Sequence, residues 1–330
     1  MNTRIYKWDN IKFVLILLVV IGHFVDVYTS ESDNMKALFF TIYIFHMPLF
    51  IFISGLFSKK FIDCNKFNIK KIAYLLSLCV ILQAIVFIFN LILNDSLSFS
   101  LVGSQGIQWY LFALAIFYII TYLLKGLNIK FVLLMWIILS CISGYDQSIG
   151  DFMTISRIIV YYPFFLLGYY MNPEKMLQIS QKKGIIISSA IFLFLLVLLI
   201  FRNIDSLYFI RPLLSGRNAF RSLGEYEYLG GILRLLYYPF VILVSMSIIS
   251  IIPNIKLCIS TLGKRTLQVY CLHTLVLSLW VHFNISYFLQ SITQKNWLKL
   301  YLLIPIALTF ILSIKIFEYP FIWLNKSISN

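Results

Sequence analysis

Phe13-Val14-Leu15-Ile16-Leu17-Leu18-Val19-Val20-Ile21-Gly22-His23-Phe24-Val25 decides the fold class. With its flanks, the apolar segment 11–29 is long enough to cross the hydrocarbon core of a bilayer as one helix. The single ionisable residue inside the run is His23. An imidazole in hydrocarbon is costly, so it marks a functional-site candidate. Lys12 lies eleven residues earlier, at the start of the same run. Eleven steps of a helix return to within about 20° of the same face, about 16 Å along the axis. A cation at the membrane surface and a titratable base within it therefore share one stripe.

The rest of the chain repeats the pattern. Of 330 residues, 61% are hydrophobic and 12% charged, about half the charge of a soluble domain, and the mean hydropathy is +0.89. The expected fold is an all-α integral membrane protein of about ten transmembrane helices, forming a single domain over 1–330. The spans read 11–29, 37–58, 72–93, 107–124, 130–144, 155–171, 184–201, 232–252, 266–283 and 299–318. Gly144, Pro163 and Gly168 punctuate the short middle ones. The first run is followed by Asp26 and Tyr28, not a small-residue cleavage site, so it reads as a retained span.

The net charge of +14 fits cytoplasmic loops of a membrane protein rather than nucleic-acid binding, for which no motif is present. Cys64, Cys79, Cys141, Cys258 and Cys271 form no C-x-x-C pair, which argues against a zinc site or a disulfide framework. Most Lys and Arg fall on one side if both termini are cytoplasmic, the expected orientation in a bacterial plasma membrane. That side is mostly Lys. The other is mostly Arg, with Arg202, Arg211, Arg217, Arg221 and Arg234 in or beside the longest loop, alongside Asp205, Glu225 and Glu227. Arg forks suit carboxylate and phosphate, so this loop reads as a binding surface. A solvated loop is the plainer alternative.

Other motifs accompany the first. The second span carries Phe45-His46-Met47-Pro48-Leu49-Phe50-Ile51-Phe52-Ile53-Ser54-Gly55; later come Gln108-Trp109-Tyr110-Leu111, Leu262-Gly263-Lys264-Arg265-Thr266-Leu267, Tyr270-x-Leu272-His273 and Phe317-Glu318-Tyr319-Pro320-Phe321. Together these resemble the acyltransferase family 3 membrane acyltransferases, and within them the fucose 4-O-acetylase-like branch. Lys12, His23, Pro48, Phe50, Ser54, Gly55, Gly263, Lys264, Tyr270, His273, Glu318 and Pro320 match the family pattern. Many members carry Arg-x-x-Arg at the inner end of the third span, where this chain has Lys66, Lys70 and Lys71. The resemblance implies transfer of an acyl group, usually acetyl, from acyl-CoA to a hydroxyl of a glycan or related acceptor.

The residues suit that chemistry. O-acylation needs a base for the hydroxyl, and His is the commonest one near neutral pH. His23 is expected in that role, with Asp26, three residues on, orienting its ring or simply capping the span at the interface. His46 enters the bilayer in the second span at a similar depth and is expected to share the cavity, although near Pro48 it has a structural alternative. CoA phosphates need cations. Lys12, Lys70, Lys71 and Lys264 are expected on the donor side, with His273 near the thioester. Trp109, Arg217, Arg221 and Glu225 are expected to meet the acceptor, Trp109 having the interfacial aromatic belt as its alternative. Acetyl-CoA is then a substrate, with no resident cofactor or metal. The expected partners are acetyl-CoA, a cell-surface glycan or its lipid-linked precursor, and the bilayer. A transporter is the rival class; no internal repeat supports it.

Overall fold

The computed structural model describes residues 4–63, 67–93, 106–149, 152–294 and 297–329. Lys66 and Cys64, named above, lie outside the described residues. The longer helices are α1 (Tyr6–Asp26), α2 (Asp33–Tyr43), α3 (His46–Leu56), α4 (Ile69–Ile92), α5 (Trp109–Leu124), α6 (Ile129–Ser143), α7 (Ile155–Tyr170), α8 (Pro173–Ser180), α9 (Lys183–Arg202), α10 (Gly230–Ile251), α11 (Thr266–His282), α12 (Ile285–Thr293), α13 (Leu303–Leu312) and α14 (Tyr319–Ser329). No β-strand forms among the described residues.

Among the described residues, five stretches are long and apolar enough to cross a membrane: Tyr6–Asp26, Asp33–Leu56, Ile69–Phe89, Lys183–Arg202 and Phe220–Ile251. Two bent pairs raise this to seven if each is one span, Thr266–His282 with Ile285–Thr293 at 68° and Trp297–Leu312 with Lys315–Ile328 at 66°. Ten crossings are thus not established by length. Helices do occupy the fourth, fifth and sixth expected spans, but α5, α6 and α7 have only 16, 15 and 16 residues. That is about 24 Å of rise against about 30 Å of hydrocarbon. Local punctuation sets their ends. The Asn128 side chain caps α6 by accepting from the Lys130 amide, and Asn172-Pro173 starts α8 directly beyond α7.

The second expected span is broken after Tyr43 and restarts at His46. Pro48 explains the break. It has no amide to give the Ile44 carbonyl, and its ring clashes with that position in a continuous helix. At the third residue of α3 it costs no intrahelical bond.

The chain forms two compact units. Unit 1 comprises 1–42, 82–99 and 252–330, and in it α1 packs against α11, α13 and the short turn Ile259–Leu262. Asn10, fully buried, clamps the loop before that turn. Its Nδ2 donates to the Pro253 and Ile255 carbonyls at 3.1 and 3.0 Å, and its Oδ1 accepts from Ser260 Oγ at 2.6 Å. Gly263 allows the closest approach: a Cβ there would fall 1.9 Å from the Asp9 carbonyl oxygen. The α13–α14 break exposes carbonyls that Gln268 and Arg265 satisfy. Gln268 Nε2 donates to Leu312 and Ile314 at 2.5 and 2.9 Å, and Arg265 Nη1 to Ser313 at 3.3 Å.

Unit 2 comprises 43–81 and 100–251. Its tightest packing is backbone on backbone between α3 and α7. A Cβ at Gly55 would lie 2.1 Å from the Phe165 oxygen, and one at Gly168 2.0 Å from the Phe52 oxygen. The Ser54-Gly55 motif thus serves packing, and Ser54 Oγ also shares a 2.7 Å hydrogen bond with Tyr110 Oη.

Candidate active site

In unit 1, α1 and α11 bring two imidazoles together. The rings of His23 and His273 lie 5.3 Å apart between centroids, at 40°. His273 is fully buried. Its Nδ1 lies 2.9 Å from the Val269 carbonyl oxygen, one helical turn back. A carbonyl only accepts, so Nδ1 carries the proton and donates, leaving a lone pair on Nε2. That Nε2 is buried with no hydrogen-bond partner. The α1–α11 packing therefore sets a bare basic nitrogen, in a fixed tautomer, on the ring next to His23. The pair can move one proton. Asp26 is half-buried at the last position of α1.

Lys12 has a carboxylate beside it: Asp9 Oδ1 lies 2.9 Å from its Nζ. Arg4 reaches the other oxygen, Oδ2, through Nε at 2.9 Å and Nη2 at 2.5 Å. The Asp9 side chain is only 7% exposed, so Arg4 and Lys12 share one buried negative charge. Lys264 is exposed beside Gly263. Glu318 pairs with Arg265 at 3.0 Å.

In unit 2, lysines gather at one end. Lys60 and Lys71 both lie over the Phe61 ring, at 4.8 and 5.2 Å from its centroid, and Lys71 also over Tyr74 at 5.2 Å. Lys59 Nζ donates to the Met171 carbonyl at 3.3 Å and Lys125 Nζ to that of Ile62 at 3.4 Å. Lys70 is exposed. Asp63, in the same region, accepts from Tyr169 Oη. His46 also belongs to unit 2, buried at the start of α3 with its ring edge-on to Tyr43 at 4.6 Å.

The expected acceptor residues occupy the opposite ends of α5 and α7. Trp109 stacks on Tyr161 at 5.6 Å and 28°, and the Arg157 guanidinium sits 4.6 Å from the Trp109 ring centroid. Trp109 is thus built into an aromatic cluster. The 204–229 segment folds over that end through Phe220, fully buried with Leu213 and Leu223. Phe220 fills the space left by Gly144 and Gly230, where a Cβ would meet its ring at 2.4 and 2.2 Å. Arg221 is exposed, donating to Gln147 Oε1 at 3.1 Å; Glu225 is exposed and Arg217 half-buried. Arg234, which the sequence places with the arginines of the long loop, is buried to 1% exposure on α10. The signal for that burial was an arginine inside a drawn span.

A multi-helix membrane protein with a histidine pair and a lysine-rich end is the class that these features define. The chain belongs to the acyltransferase family 3: the family model, described as an acyltransferase domain, matches residues 5–316. It is similar to the nodulation protein NolL of Sinorhizobium fredii, 31% identical over 186 residues, covering 51% of this chain and 49% of that one. It is also similar to the nodulation protein NolL of Mesorhizobium japonicum, 29% identical over 184 residues, covering 51% and 48%. The matched region thus spans about half the length of these relatives. No solved structure matches the chain.

Proposed function

We propose that the chain is a membrane O-acetyltransferase that moves acetyl from cytoplasmic acetyl-CoA to a hydroxyl of a cell-surface polysaccharide or its lipid-linked precursor. The observation that carries this reading is the His23–His273 pair within a family of acyltransferases. His23 takes the proton of the acceptor hydroxyl as its oxygen attacks the thioester carbonyl. The C–S bond breaks, and the CoA thiolate leaves with that proton. Nε2 of His273, on the neighbouring ring, offers an acceptor to which His23 passes its proton between steps. Lys60, Lys70 and Lys71 hold the CoA phosphates, with Lys12 and Lys264 as further donor-side cations.

In this reading the lysine end of unit 2 faces the cytoplasm and the arginine end faces outward. Both termini are cytoplasmic, in a bacterial plasma membrane. Counting α5, α6 and α7 as crossings, with the two bent pairs as one span each, gives ten. Support comes from the separation of Lys59, Lys60, Lys71 and Lys125 from Arg157 and Arg234 by the length of α5 and α7, about 24 Å.

The test is transfer of acetyl from acetyl-CoA by the purified protein, with wild-type and His23→Ala chains compared in detergent. Loss of a general base costs about 10²–10⁴-fold. Retention of more than about a tenth of wild-type turnover by a folded His23→Ala protein removes His23 from this role.

A further inference from the structure

The arginine end of unit 2 holds buried charge that the fold leaves uncompensated. Arg234 is 1% exposed. Its Nη1 donates to the Leu213 carbonyl at 2.9 Å, and the guanidinium lies 5.8 and 5.6 Å from the Phe220 and Tyr237 ring centroids. Its Nε has no hydrogen-bond partner, and no carboxylate pairs with it among the described residues. Leaving a buried cation on one carbonyl and two rings is expensive.

The neighbours add donors. Tyr237, 6% exposed and one turn along α10, has a buried hydroxyl with no partner. Thr154, 4% exposed, precedes α7 in a left-handed conformation, φ 55°, and its hydroxyl neither caps the helix nor finds another partner. Arg157, one turn into α7, lies over Trp109, the first residue of α5. Two helix N-termini, those of α5 and α7, carry Trp109, Thr154 and Arg157, and each adds partial positive charge. Tyr161 Oη and Arg234 Nη1 anchor the adjacent carbonyls of Leu214 and Leu213, so the 204–229 segment is tied over the same place.

We propose that Arg234, Tyr237, Thr154 and Arg157 form a binding site for a phosphate group at the arginine end of unit 2, closed by the 204–229 segment. Donors borne on two helices, two guanidinium groups and two hydroxyls, suit a tetrahedral oxyanion better than a planar carboxylate. The phosphate has two sources, a phospholipid headgroup or the phosphate of a soluble or substrate-borne ligand. The proposal stands apart from the acyl-transfer reading, because phosphate binding is measured without turnover.

The test uses the full chain, delipidated in a non-ionic detergent, with inorganic phosphate compared with chloride at equal ionic strength. Phosphate should raise the thermal midpoint by several degrees where chloride does not. Tyr237→Phe removes only an unpartnered hydroxyl, so it should fold as the wild type does while its half-saturating phosphate rises at least fivefold. Arg234→Lys keeps the charge, loses the fork, and should weaken the response further. Native mass spectrometry after reconstitution in phosphatidylcholine with and without phosphatidylglycerol separates the sources. Phospholipid retained by the wild type and lost from Arg234→Lys assigns the site to a headgroup. A phosphate response with no retained lipid assigns it to another phosphate ligand. Equal midpoints in phosphate and chloride with no retained lipid overturn the site, as do equal phosphate responses in the wild type and both variants.

Discussion

His273→Phe separates a working histidine from a packed one. The substitution nearly keeps the ring volume at a fully buried position and removes both nitrogens. For stability, two terms oppose. The Nδ1–H bond to Val269 is lost, about 1 kcal/mol, while the buried, unpartnered Nε2 disappears, relieving a desolvation cost of about 1–3 kcal/mol. The variant should therefore unfold at or slightly above the wild-type temperature. For activity, the change leaves His23 with an apolar neighbour 5.3 Å away where a basic nitrogen stood. If that nitrogen orients the base, turnover should fall about a hundredfold, or about 2.7 kcal/mol of barrier. The pH dependence of kcat/KM should also change, because one of the two coupled imidazoles is gone. The assay is acetyl transfer by purified protein across pH 5.5–9 (a range of about three to four units around the unperturbed imidazole value), with the thermal midpoint measured in parallel. A stable variant with more than a tenth of wild-type turnover and an unchanged pH profile would show that His273 only fills space.

The lysine end predicts a donor effect. Lys60→Gln with Lys71→Gln should raise the KM for acetyl-CoA about tenfold with little change in kcat, the signature of lost uniform binding. The rise should shrink as salt approaches about 0.5 M, and an unchanged KM at low salt would remove these lysines from donor binding. The α3–α7 contact predicts a structural effect. Gly168→Ala sets a Cβ 2.0 Å from the Phe52 oxygen, so the helices must part by about 1 Å, at about 1–3 kcal/mol. Its thermal midpoint should drop by several degrees, whereas Gly184→Ala, with nothing within 4 Å of its Cβ, should not lower it; equal midpoints would contradict the close approach.

What the sequence disclosed and what it withheld divide along local and non-local lines. His23 was legible because an ionisable group in an apolar run is anomalous by itself. The break at Ile44-Phe45 follows from Pro48 four residues on, again a local rule. The packing of Gly55, Gly168 and Gly263 was not legible, since a close approach needs its partner, and the partners Phe165, Phe52 and Asp9 lie on distant segments. The burial of Arg234 was hidden for the same reason. It depends on Phe220, reached through a loop that folds back into the space of Gly144 and Gly230. The span count failed to resolve because hydropathy marks apolar runs and not where Asn caps and Pro end the helices within them. The pairing of His23 with His273 was missed because the two were assigned to different tasks. The Tyr-x-x-His motif gave the residue but not the helix face it meets.

The segment Trp8-Asp9-Asn10-Ile11-Lys12 gains a different meaning from its contacts. Read along the chain, Lys12 is a surface cation on the stripe of His23. In unit 1, Lys12 shares the Asp9 carboxylate with Arg4, while Asn10 holds the 253–260 loop and the Asp9 backbone meets Gly263. The far end of α1 is held as well. Tyr301 Oη donates to the Phe24 carbonyl at 2.9 Å, and Trp280 Nε1 donates to Tyr28 Oη at 3.1 Å. His23 therefore sits on a helix fixed at both ends to residues that precede or belong to α11–α13, the elements that also carry His273. A base works only when its geometry is held to within about 0.5 Å. These anchors hold α1 against α11, so in the proposed reading the Lys12 motif positions His23 at least as much as it attracts the donor. The lysines over Phe61 have aromatic rings beside them where Lys12 has a carboxylate.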